Sequence, residues 1–152
     1  MDELGKFLIS SEDEILDRVI SYAKEFGYYK YTSQNKTAWR LAIQGLSNAL
    51  IEQCLISGDI PELRPDEDYR GGPAGDFAIL EARMHSDRGV TLPMFLGLMK
   101  YNRQAFQDSI TDSDFPKSKR EYYHLYIDRF FDRVELGFVS AWAVSPDFSR
   151  EV

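Results

Sequence analysis

Residues 80–110, LEARMHSDRGVTLPMFLGLMKYNRQAFQDSI, join two helical patterns through a corner that leaves the chain little choice of path. Phe77, Leu80, Ala82 and Met84 supply the apolar residues of the incoming helix. Gly89 follows where a helix C-terminus favours a residue that tolerates positive φ. Thr91 can cap the next helix, and Pro93 falls in its first turn, where a missing N–H has no intrahelical partner to lose. Arg83, Arg88, Gly89, Thr91 and Pro93 are therefore read as a structural corner. Beyond it Met94, Phe95, Leu98, Met99, Ala105, Phe106 and Ile110 recur at helical spacing, which places them on one buried stripe. Met and Phe in such a pattern pack a core far more often than they line a cofactor site.

The remaining sequence extends this helical reading. Ser11 and Glu14 have capping-box spacing and open a run of apolar residues, Ile15 to Phe26, that Gly27 stops. Tyr28, Tyr29 and Tyr31 form a short aromatic connector expected to fold onto the core. A second helix is predicted from about Ser33 to Ser57, with Trp39, Ile43, Leu46, Leu50 and Cys54 on one face and Gly58 as its stop. Ser118 and Glu121 suggest another capping box, opening a last helix that runs to about Ala143 before Pro146. Residues 58–75, GDIPELRPDEDYRGGPAG, contain three Pro, four Gly and five acidic residues, and are expected to form a solvated acidic connection. No strand alternation stands out. The expected fold is all-α, a bundle of about five main helices with a long acidic loop between the second and third.

Composition limits what such a bundle does. A chain of 152 residues with 43% hydrophobic and 14% aromatic content is long enough to bury one core, so residues 1–152 read as a single domain. The net charge of −7 and the lack of a basic block argue against a nucleic-acid partner. The single cysteine, Cys54, lies among Leu50, Ile51, Leu55 and Ile56, as a buried and inert thiol would. No signal peptide or membrane-length apolar run is present, so the expected compartment is the cytoplasm, with no membrane partner.

Reactive constellations are sparse. There are two histidines: His85 follows Glu81 by four residues, and His124 follows Glu121 by three and precedes Asp128 by four. Glu121, His124 and Asp128 thus share a helix face, with a spacing used by di-iron bundles. A second Glu-x-x-His is lacking, however, and Glu121 is also expected to serve the capping box. His85 or His124 could alternatively supply the one imidazole a haem needs, a reading that an absorption spectrum with added haem would test. GGPAG at 71–75 lacks the spacing and the preceding strand of a phosphate loop and reads as a turn. Asp66, Glu67 and Asp68 do not follow an EF-hand pattern. No catalytic residue, metal or cofactor is expected.

The last helix is aromatic on more than one face, since adjacent Phe130 and Phe131 lie about 100° apart around the axis. Surplus apolar surface on a terminal helix points to a partner, and two-fold pairing is the commonest form. The sequence therefore predicts a homodimer with Tyr122, Tyr126, Phe131, Phe138 and Trp142 at its interface.

The helix order, together with Arg83, the Arg88-Gly89-Val90-Thr91-Leu92 corner and the Tyr101/Arg103 region, resembles the N-terminal sensory domains of bacterial stressosome co-antagonists of the RsbR/RsbRD type. Similar domains precede PAS and histidine-kinase modules. The resemblance spans most of residues 11–143. It implies a globin-like, usually haem-free dimeric domain that passes signals through its C-terminal helix to a downstream signalling domain. The long acidic loop and the aromatic last helix depart from that pattern. The chain's stop at SPDFSREV, without an output motif, is read as a cut at a domain boundary.

Overall fold

The computed structural model describes residues 2–32, 35–59 and 62–143. Among them the protein is all-α, with six α-helices rather than five: α1 (Asp2–Ser10), α2 (Glu12–Glu25), α3 (Lys36–Ser57), α4 (Gly72–Ser86), α5 (Leu92–Thr111) and α6 (Lys117–Ala143). A 3-10 turn at Tyr29–Tyr31 links α2 and α3. The additional helix is α1, whose Leu4 and Leu8 are fully buried. Ser11 does not act as a capping-box residue. Its N–H donates to the Phe7 carbonyl at 2.9 Å and its own carbonyl accepts from the Ile15 N–H, so the hydrogen-bond ladder runs on while its side chain makes no cap. Ser118 likewise is no cap, because α6 already begins at Lys117. The cap of α3 is Asn35, whose side chain accepts from the Thr37 N–H; Ser33 and Pro146 lie outside the described residues.

α3 packs against α1, α2 and α4, while α2 also meets α5. α6 lies against both α4 and α5, which explains its many aromatic faces. Phe131 meets Phe106 of α5 edge-on at 5.3 Å, and Phe138 meets Phe95 of α5 at 4.6 Å and Phe77 of α4 at 6.2 Å. Near the start of α6, Tyr123 packs on Phe115, which in turn touches Phe7 of α1. Rings that look redundant on a helix with one covered face are all used when several neighbours share it.

α4 packs differently from its sequence reading. Leu80 and Met84 face outward, and the buried face is made by Ala74, Gly75, Ala78 and Ala82. GGPAG is not a turn, because the helix starts at Gly72 inside it. Small side chains let α6 approach closely. A Cβ added to Gly137 would lie 2.7 Å from the Ala78 Cβ and 2.9 Å from the Tyr69 carbonyl oxygen.

Candidate functional site

The densest set of chemically capable side chains outside the apolar core lies on α6 and what it touches. Asp128, Asp132 and Glu135 recur at four and three residues, so they share one helix face, and that face meets α5. Arg103 of α5 reaches across to all three: it makes a tight contact with Glu135, a 2.9 Å ion pair with Asp132 and a longer one of 3.5 Å with Asp128. The Lys100 ammonium lies 2.5 Å from the other Glu135 oxygen, an ion contact without hydrogen-bond alignment. One turn away, the Gln107 side chain donates to Asp128 at 2.9 Å and to the His124 carbonyl at 3.0 Å. His124 is enclosed in this ladder, with Nδ1 2.5 Å from the Gln107 oxygen and Nε2 3.2 Å from the Thr111 hydroxyl. This network ties α5 to α6, with Glu135 and Arg103 largely covered at its centre and Asp128 and Lys100 at the surface.

A second set ties the α3–α4 connection to α6. Arg133 is buried and donates to both Glu67 oxygens, at 2.7 and 3.0 Å. The fork of a guanidinium matches a carboxylate in this way, and the pair fixes direction as well as distance. Arg129 donates to Glu62 at 2.8 Å and the Tyr122 hydroxyl to Asp59 at 2.9 Å. Part of the acidic connection is thus a strap over α6, with the Glu67 carboxylate turned inward onto Arg133, while Asp59, Glu62, Asp66 and Asp68 stay exposed as a solvated connection would have them.

At the α4–α5 corner Gly89 has φ +82°, and two hydrogen bonds close the end of α4: Val90 N–H to the His85 carbonyl and Gly89 N–H to the Ser86 carbonyl. That pair of bonds is a Schellman closure. Thr91 accepts from the Met94 N–H at 3.3 Å, and Pro93 sits in the first turn of α5. The His85 ring lies 4.4 Å from that of Phe95, with Nδ1 2.7 Å from the Glu81 carbonyl oxygen. Burial of Glu81 pushes its carboxyl above the usual carboxylate range, against the opposing pull of His85 and Arg88. Arg83 and Arg88 are exposed.

The residues considered for a metal do not converge. Glu121 is exposed beside Lys117, at 3.9 Å, while His124 and Asp128 belong to the α5–α6 ladder. Among the described residues no group of three His, Cys, Asp or Glu side chains is placed to hold a metal ion. His85 and His124 are likewise held on different helices, in separate environments. Cys54 is buried beside Tyr126, whose hydroxyl is pushed far up by burial. An open recess of about 420 Å³ lies between the end of α2 and the start of α5, lined by Phe26, Gly27, Tyr28, Tyr31, Pro93 and Met94. No helix among the described residues is long and apolar enough to cross a membrane.

The interface expected on α6 is not available as a surface. Tyr126, Phe131 and Phe138 are buried in the chain's own core, and Trp142 packs on Phe95 with the rings tilted and their centroids 5.5 Å apart. Of the five residues only Tyr122 is exposed, and its hydroxyl is engaged by Asp59. The surplus of aromatic area is absorbed internally by α4 and α5.

Arg133 and Glu135 were not singled out by sequence reasoning, although a signal exists. Arg133 sits three residues after Phe130 and one before Val134, so a charge interrupts an otherwise apolar stripe. Such an interruption demands a buried partner, which the sequence does not identify. No family model, curated protein or solved structure matches this chain.

Proposed function

We propose that this chain is a non-catalytic sensory and dimerisation domain of a bacterial signalling protein, of the histidine-kinase or stressosome type, with α6 as the element that relays the signal. The cytoplasm is the compartment that fits this reading. Its main support is the double clamp on α6. Arg133 holds the α3–α4 strap through Glu67, and Arg103 holds α5 through Glu135. A ligand or partner that displaces the strap removes the counter-charge of Arg133 and so shifts the position α6 prefers, which is the differential interaction that a switch requires. The resemblance of the corner and of the helix order to sensory domains of the RsbR type points the same way.

The test uses the full-length gene product. Glu67→Gln removes the charge of the strap while keeping its size, and is expected to change the basal output of the downstream domain by about fivefold, the low end of ordinary allosteric coupling. Circular dichroism should remain helical. Unchanged output in a folded variant, or a gene product without any output domain, would overturn the reading.

A further inference from the structure

The outer face of α4 has a feature that neither the core nor the α6 clamps use. Asp76, Leu80, Arg83 and Asp87 are spaced four, three and four residues apart, so they form one stripe along the helix, and all four are exposed. Leu80 is 58% exposed and neighbouring Met84 40%. Neither Asp76 nor Arg83 has a side-chain ion pair among the described residues. Antiparallel packing extends the apolar part onto α3: Gln53 lies beside Gly72 and the Phe77 ring covers Gly45, so one more turn on each helix brings Leu41, 63% exposed, alongside Leu80.

Resting on the dimer proposed above, we infer that this stripe is the surface on which a second copy of the chain docks. The order of charges is what selects a second copy. When two identical helices cross antiparallel about a two-fold axis midway between residues 79 and 80, Asp76 of each copy falls opposite Arg83 of the other, and the Leu80 side chains meet at the centre. The same axis sets Asp87 opposite the start of the other copy's α4. That helix opens at Gly71 without a side-chain cap, so its positive end accepts a carboxylate. Both ends of the stripe are thus complementary to the stripe itself, and each contact is made twice. Leu41 and Met84 flank the centre and would be covered as the helices close.

Charge reversal with rescue tests this directly. The wild-type chain should show a light-scattering mass near twice 17.6 kDa at micromolar concentration. Asp76→Arg and Arg83→Asp, each alone, should weaken association by about tenfold or more, since each sets like charges against each other twice. The double variant D76R/R83D should restore it. Leu80→Glu should give a monomer with an unchanged circular dichroism spectrum, because the side chain is exposed in the single chain. A wild-type monomer would overturn both the dimer and this surface. A wild-type dimer indifferent to the two single reversals and to Leu80→Glu would leave the dimer standing and overturn the α4 surface. Failure of the double variant to recover what both singles lose would overturn the paired arrangement of Asp76 and Arg83.

Discussion

Glu81 shows how much a single position depends on what surrounds it. As a helical residue four places before a histidine it suggests an ion pair, and its carboxylate does lie 3.5 Å from the His85 ring. Burial nevertheless outweighs that attraction and raises its pKa in the folded state. The folded protein therefore holds the Glu81 proton more tightly than the unfolded chain does. The contribution is fully favourable below the unfolded pKa and is lost as pH rises through the folded value. Glu81→Gln removes this titration, so the variant should gain stability relative to wild type between about pH 4 and pH 7, the span above the ordinary carboxylate pKa. Urea denaturation at both ends of that span measures it, and a constant difference between the two proteins would contradict the assignment. At this scale the sequence was least informative. His124 was visible as a histidine on a helix, but Gln107 and Thr111, which occupy its two ring nitrogens, come from another helix and leave no mark on its local pattern.

Helices were far more legible, because period is local, whereas their ends were legible only in part: Thr91 caps α5 as its spacing suggests, while Ser11 and Ser118 make no cap. The α4–α5 corner is set by Gly89, Thr91 and Pro93, and the buried stripe of α5 by its spacing. Two glycines distinguish the kinds of constraint involved. Gly89 has open space around it, so Gly89→Val should cost about 1–2 kcal/mol through backbone strain alone at positive φ. Gly137→Ala should cost about 1–3 kcal/mol for the opposite reason, overpacking against Ala78 and the Tyr69 carbonyl. Thermal denaturation of both variants checks this, and Gly89→Asn, a residue more tolerant of positive φ, should recover part of the first loss. What local reasoning could not settle was which face of α4 turns inward. Leu80 and Met84 carry more apolar area than Ala74, Ala78 and Ala82, yet the alanines are buried because only short side chains admit α6 so closely. The α1 helix was missed for a related reason: Gly5 weakens its local signal, while in the fold that position lies against Ile51 of α3.

Over the whole molecule, the all-α class followed from period, but the neighbours of each helix did not. The aromatic excess of α6 suggested a second chain and instead reflects a helix shared by α4, α5 and the strap. That placement has a consequence for biosynthesis. Residues emerge from the ribosome in order, and by the time α5 is complete the chain has Ala78 and Ala82 on one side and Phe106 on the other, with the helix that fills the space between them still to be made. A nascent chain ending near residue 115 exposes that half-built seam, and native closure waits until Phe131, Val134 and Phe138 have cleared the exit tunnel. Of the six described helices, the last in chain order is thus the one that closes the seam the earlier ones leave open, and the interval before it arrives is when that apolar surface is most open to non-native contact.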